Sequence, residues 1–235
     1  MRSNKPSTSQ ANVTRTAVAV GRMAAVLLIA VAVSAAAASP EPAKPVTTTA
    51  TAQEPPLPGL EAVLDELRKG GLVIFFRHSV SDQTGQAGEA DLANCATQRN
   101  LTAEGRELAT QIGTAFRALR ITVGTVATTP LCRGKETAQL AFGRFTVNND
   151  LNSVLGADAE KTKQLAGSLR QILSTPPAAG TNAVIVSHNT NLREAAGLWP
   201  KPEGVSYVFR PLSGGRFEAL ARIAPEAWAN MVNKK

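Results

Sequence analysis

Two histidines occur in the chain, His78 and His188, and each stands at the end of an apolar run. Gly71-Leu72-Val73-Ile74-Phe75-Phe76 leads into Arg77-His78, and Ala183-Val184-Ile185-Val186 leads into Ser187-His188. Runs of this kind, bounded by glycine or polar residues, read as strands buried on both faces. In open α/β sheets ligands bind beyond the carboxyl ends of the strands, which is where Arg77, His78 and His188 would stand. A third strand end, after Val123 to Ala127, leads to Arg133. Two guanidiniums and two imidazoles, gathered with no evident acidic partner, make an anion site. Arginine offers planar paired donors that suit phosphate oxygens. A neutral imidazole is a nucleophile near neutral pH, and neighbouring cations favour the neutral form. Phosphoryl transfer to such a nitrogen needs mostly positioning and charge stabilisation.

The elements that would position these groups follow in order. Leu60, Val63, Leu64 and Leu67 recur at helical spacing, and Gly70-Gly71 ends that helix before a strand over 72–76. Ser79 to Asn100 is polar and suits a long binding loop. Thr102 can cap the next helix, with Glu104 in its first turn and Leu108, Ile112, Ala115, Phe116 and Leu119 on its apolar face. After the 123–127 strand, a helix is predicted over 133–142, a short strand over 145–147 and an irregular stretch over 148–156. A helix carrying Leu165, Leu169 and Leu173 stops at Pro176-Pro177. The 183–187 strand and a helix over 190–197 come next. A hairpin over 206–210 and 216–223, with Tyr207, Phe209 and Phe217 as core residues, precedes a final helix over 225–231. Strands alternating with helices predict an α/β three-layer sandwich, a mainly parallel sheet with helices on both faces.

The chain resembles the histidine phosphatase superfamily, the phosphoglycerate-mutase-like fold. Arg77-His78-Ser79 stands where that family has Arg-His-Gly, and Leu101-Thr102-Ala103-Glu104-Gly105 is similar to its Leu-Thr-x-x-Gly helix start. Thr129-Pro130-Leu131-Cys132-Arg133, continued by Lys135-Glu136-Thr137-Ala138, resembles its Ser-Pro-x-x-Arg-x-x-x-Thr-Ala segment. Ser187-His188-Asn189 resembles its Ser/Gly-His-Gly/Asp ending, so the likeness runs over about residues 70–195. The resemblance implies that His78 is transiently phosphorylated, that Arg77, Arg133 and His188 form the phosphate pocket, and that water hydrolyses the phosphohistidine in a second step.

The chain departs from the family pattern at its acids. Asn189 replaces the Asp of the phytase-like branch, and Leu151-Asn152-Ser153 carries Ser where the mutase-like branch has Glu. Asp158 and Glu160 are the nearest candidates for a general acid, although acids are favoured at a helix N-terminus in any case. Asp82 and Glu203 are further candidates, and the general acid stays unassigned. A substrate with a good leaving group needs none, which leaves phosphohistidine or an acyl phosphate open beside a phosphomonoester. A rival of another class is a non-catalytic phosphate-ligand binding protein. No nucleotide loop of the P-loop type occurs, and two histidines with two cysteines are a poor metal set, so neither cofactor nor metal is expected.

Residues 1–38 read as a signal peptide: Arg2, Lys5, Arg15 and Arg22 without an acid, an apolar Met23 to Val33, then an alanine run ending at Ala38. The apolar stretch is short for a membrane span, and the alternative is an uncleaved anchor. Four of the chain's 25 cations and none of its 18 acids lie in this leader, so the net charge of +7 becomes +3 without it. The basic balance is therefore no argument for nucleic acid as a partner. A Pro/Thr/Ala-rich tether over 39–58 precedes a catalytic domain over 59–235. Export to the periplasm or beyond suits a Cys95–Cys132 disulfide, the alternative being two buried thiols. The expected partner is a small phosphorylated molecule, a sugar phosphate or an envelope glycan phosphate, with no stable membrane span after leader cleavage.

Overall fold

Strand β1 (Val73–Arg77) divides the molecule into two cores. Ile74 and Phe76 point into one, Val73 and Phe75 into the other, as the period of two in a strand requires. The structure, a computed structural model, describes residues 56–84 and 91–234. The leader over 1–38 and the tether up to Pro55 lie outside the described residues.

Helix α1 (Leu60–Lys69) precedes β1, and α2 (Ala103–Ala118), β2 (Val123–Thr128), α3 (Cys132–Phe142) and the short β3 (Thr146–Val147) follow it. Then come α4 (Ala159–Leu173), β4 (Asn182–Ser187), α5 (Asn189–Ala196), the hairpin β5 (Ser206–Leu212) and β6 (Arg216–Ile223), and α6 (Ala227–Asn233). The six strands form one sheet in the order β3-β2-β4-β1-β5-β6. Strands β1 to β4 are parallel, and β5 and β6 add an antiparallel edge. Helices α1, α2, α3 and α6 pack on one face around Phe76, Phe116 and Trp228; α4 and α5 pack on the other around Phe75, Leu169 and Tyr207. This is the three-layer α/β sandwich that the alternation of elements predicts.

The predicted elements are found within a few residues of their expected ends. β1 extends through Arg77 because its N–H donates to Val205 O and the ladder to β4 pairs Arg77 with Ser187. The 148–156 stretch holds one short 3-10 turn, Asn149–Leu151, whose first N–H groups are served by Asn148. Asn182, buried at the amino end of β4, accepts from Leu72 N and donates to Leu67 O and Thr122 O. One side chain thereby ties α1 and the starts of β1 and β2 together.

Register places the reactive strand ends side by side. β4 pairs Ser187 with Arg77 of β1 and Val186 with Thr128 of β2. His78, His188 and Thr129 are each the next residue along. The loop after His78 is held from below by α2, whose N-cap Thr102 accepts from Gly105 N at 3.0 Å and whose own N–H donates to Val80 O. Gly105 passes so close to that loop that a Cβ on it would lie 2.0 Å from Val80 O. Gly105→Ala is expected to destabilise the fold by about 1–3 kcal/mol through overpacking. Gly167→Ala, in α4 with nothing within 4 Å of the added carbon, should stabilise it by about 0.5–1 kcal/mol. Urea midpoints at unchanged m-value measure both, and equal shifts of the same sign would contradict the packing assigned to Gly105.

Candidate active site

His78 follows β1, His188 follows β4 and is the N-cap of α5, and Arg133 lies in the first turn of α3. All three are nearly enclosed, at 4%, 2% and 8% exposure. The imidazole centroids are 5.2 Å apart at 60°. Between them lies the Arg133 guanidinium, with Nε donating to His78 Nε2 at 3.2 Å and Nη2 3.4 Å from His188 Nδ1.

Arginine has no acceptor, and this fixes the proton on each ring. His78 Nε2 accepts from Arg133, so Nδ1 carries the hydrogen and donates to Ser79 O at 2.9 Å. The lone pair on Nε2 therefore faces the guanidinium. His188 Nδ1 likewise accepts, and Nε2–H donates to Thr129 Oγ1 at 3.0 Å. Burial pushes the pKa of His78 well below its ordinary value, and the Arg133 charge adds to this. His188 is pushed the same way by burial, then by His78 and Arg133. Arg133 is lowered to about 10, by burial first and by Arg99 second. Arg77 is lowered by burial, against the opposing pull of Glu203.

A chain of short bonds fixes the loop after His78 to α3. Thr137 Oγ1 donates to Arg133 O at 2.7 Å and accepts from Ser79 N at 3.0 Å, while Ser79 Oγ donates to Gly105 O at 2.7 Å. Ser79, which stands where the family pattern has Gly, thus uses its hydroxyl to anchor the loop on α2. Gly134, next to Arg133, sits where a Cβ would come 2.1 Å from Thr129 Cγ2, so α3 closes tightly on the end of β2.

The absence of an acidic partner, expected from the sequence, is corrected by the structure. Glu203, in the segment before β5, accepts from Arg77 Nη2 at 3.0 Å and from Ser81 N at 2.9 Å, and its Oε1 lies 3.9 Å from His78 Nε2. Arg99 Nη2 approaches the same oxygen at 3.5 Å and donates to Ser81 Oγ at 2.9 Å. Asp158 and Glu160 serve elsewhere: Asp158 caps α4 by accepting from Lys161 N, and Glu160 is exposed in the first turn of that helix. Asp82 is exposed and held low by its hydrogen bonds from Thr84 Oγ1 and N. Spacing offered no signal for Arg99, which comes to the site through the fold of the 79–100 loop. Ser81 and Thr129 were equally silent as site residues. Glu203 was visible only as one acid among several.

Cys95 and Cys132 are joined in a disulfide, S–S 2.04 Å, Cα–Cα 5.7 Å. It ties the loop that carries Arg99 to the residue before Arg133. Gln98, between Cys95 and Arg99 in the chain, adds a second tie, its Oε1 accepting from Cys132 N at 2.9 Å. Among the described residues no group of three His, Cys, Asp or Glu side chains converges as a metal site.

No family model matches the chain, and no curated protein matches it. Solved structures do. The protein histidine phosphatase SixA, solved with tungstate, is 14% identical with a TM-score of 0.47, over 66% of this chain and 97% of that one. The alpha-ribazole phosphatase from Shigella flexneri is 14% identical with a TM-score of 0.47, over 66% of this chain and 96% of that one. Phosphoserine phosphatase from Entamoeba histolytica is 14% identical with a TM-score of 0.46, over 65% of this chain and 96% of that one. All three are members of the histidine phosphatase superfamily.

The neutral imidazoles couple stability to pH. The unfolded chain binds protons at His78 and His188 below about pH 6.5, whereas the folded chain, with both values lowered, does not. Their contribution is complete above that pH and is drawn down as pH falls below it. Between pH 7 and pH 5 the urea midpoint should drop, and the drop should be smaller in His188→Asn. An equal drop in both proteins would mean that His188 is protonated in the fold.

The disulfide closes a loop with a sequence separation of 37, contributing about 3–4 kcal/mol in the chain-entropy model. Free-thiol titration of oxidised protein should find no reactive thiol. Cys95→Ser/Cys132→Ser should loosen Arg99 and Arg133 and raise KM for a phosphate ester more than it lowers kcat. An unchanged KM would dissociate the bridge from the anion site.

Proposed function

We propose that the protein is a phosphatase of the histidine phosphatase superfamily, a metal-independent phosphoric monoester hydrolase of the histidine acid phosphatase type that works through a phosphohistidine on His78. The observation that carries this reading is the fixed tautomer of His78: Nδ1–H is spent on Ser79 O and the Nε2 lone pair faces a buried guanidinium. A neutral, oriented nitrogen next to a cation is what in-line attack on phosphorus requires.

The donors for the transferred group are at hand. Arg77 Nε and Arg133 Nη1 are buried without a hydrogen-bond partner among the described residues. A buried charged donor left unpaired costs free energy, and phosphoryl oxygens bound there would satisfy both. The N–H of Arg133 that now lies on His78 Nε2 passes to a phosphoryl oxygen as that nitrogen bonds to phosphorus. His188 Nε2–H turns from Thr129 Oγ1 to a second oxygen and stabilises the charge that grows in the transition state. The ester O–P bond breaks and the leaving oxygen takes its proton from solvent; water then attacks phosphorus, the Nε2–P bond breaks with its electron pair returning to His78, and orthophosphate departs.

We assign the enzyme to an exported compartment, periplasmic or secreted, on the leader-like residues 1–38 and on the disulfide, a bond at home in oxidising surroundings. The substrates proposed are small phosphomonoesters met there, a sugar phosphate or an envelope glycan phosphate.

Phosphate release from p-nitrophenyl phosphate and a panel of sugar phosphates, assayed in EDTA, tests the reading. His78→Ala should lose orders of magnitude in kcat while keeping the wild-type fold. Rapid quench of the wild type should trap an acid-labile, base-stable phosphoryl group on His78. Retention of more than about a tenth of kcat in His78→Ala would overturn the nucleophile assignment.

A further inference from the structure

Glu203 is the carboxylate placed beside the nucleophile, and the function proposed above has not used it. Its side chain is only 10% exposed. Its hydrogen-bond partners among the described residues all donate to it: Arg77 Nη2 at 3.0 Å and Ser81 Oγ at 3.1 Å on Oε1, Ser81 N at 2.9 Å on Oε2, and Gln83 Nε2 at 3.3 and 3.4 Å across both. Both oxygens thus act as acceptors, and the seat is rigid, because the two Ser81 donors come from the loop fixed to α2. A carboxylate has about four lone-pair sites. Oε2 has one short bond, so it keeps room for another donor.

The distance from Oε1 to His78 Nε2 is 3.9 Å. That is too long for a hydrogen bond. It is short enough that a water attacking an atom bonded to Nε2 comes within reach of the carboxylate, as a general base must. Among the described residues the other acid candidates do not compete for this position: Asp158 is a helix cap, Glu160 is exposed on the same helix, and residue 153 is a serine.

Resting on the phosphohistidine reading, we propose that Glu203 is the general base of the second half-reaction. The carboxylate accepts one proton from the attacking water as the new O–P bond forms. The Nε2–P bond breaks, and the electron pair returns to His78. Orthophosphate leaves, and the proton passes from Glu203 to solvent. A purely structural rival assigns Glu203 only to holding Arg77 in place.

The two roles separate by half-reaction. With p-nitrophenyl phosphate the leaving group needs no proton, so the burst of p-nitrophenol reports formation of the phosphoenzyme, and decay of ³²P-labelled enzyme reports hydrolysis. In Glu203→Gln the burst rate should stay within about threefold of wild type, whereas decay should slow by at least about a hundredfold. Hydroxylamine, a nucleophile that needs no base, should restore the decay. In the wild type, which requires no variant to fold, decay in water should show a normal solvent deuterium isotope effect that decay in hydroxylamine lacks. Equal slowing of burst and decay would assign Glu203 to positioning Arg77 and overturn the proposal. So would unchanged decay, or an isotope effect equal in water and hydroxylamine. A wild type that never acquires label would overturn the phosphohistidine reading, and the role of Glu203 with it; a labelled wild type with a normal Glu203→Gln removes the role of Glu203 alone.

Discussion

Arg133 is buried with its guanidinium against two imidazoles, and among the described residues no carboxylate forms an ion pair with it. Removing a charge from water without a partner costs several kcal/mol. The protein tolerates this because both imidazoles stay neutral and offer lone pairs to the guanidinium. Burial first, and then neighbouring positive charge, keeps His78 and His188 from protonation. Arg77, by contrast, is compensated by Glu203. The site therefore has a charge-balanced side at Arg77 and an electron-poor side at Arg133.

Holding like charges close requires a stiff frame, and the frame is the parallel part of the sheet. Three adjacent strands end at one level, and the backbone hydrogen bonds that continue past them, His78 N to Ser187 O and Thr129 N to Val186 O, keep the ends from spreading. Small residues let the helices close in. Gly134 brings α3 against Thr129, and Gly105 brings α2 under Val80. A bulkier residue at either place would push His78, Arg133 or Thr129 away from its partner.

The parallel strands were legible because β1 and β4 are buried on both faces and so read as unbroken apolar runs ending in His. The same burial made Arg77, His78 and His188 conspicuous, since polar residues at the end of such runs must have a use. Arg133 was legible through its spacing to Thr137, and the structure supplies the cause: Thr137 bonds to Arg133 O one turn away and to Ser79 N in the loop after His78. Arg99 was not legible, and Glu203 was legible only as one general-acid candidate among several. Each sits in an irregular segment, where no period relates a residue to a face, and each reaches His78 only through three-dimensional closure. Asp158 attracted notice for the opposite reason, since an acid that caps a helix and an acid that serves a site look alike in one dimension.

Irregular segments are also where a fold is least stable, which bears on how a charged group carried by a loop can be held in place. Arg99 lies in the long stretch between β1 and α2, and without further ties its ordering entropy would fall on the moment of ligand binding. Four ties prevent that. The Cys95–Cys132 bridge and the Gln98 bond to Cys132 N hold one side, and the bonds of Arg99 to Asp82 O and Ser81 Oγ hold the other. Ser81 in turn bonds to Glu203, and Glu203 to Arg77. The loop cation, the carboxylate and the strand-end arginine are thus members of one network anchored at both ends. A covalent link to the residue before Arg133 extends it to the other side of the pocket. The entropy of ordering is spent when the chain folds and oxidises, so these groups are already in place before any ligand arrives.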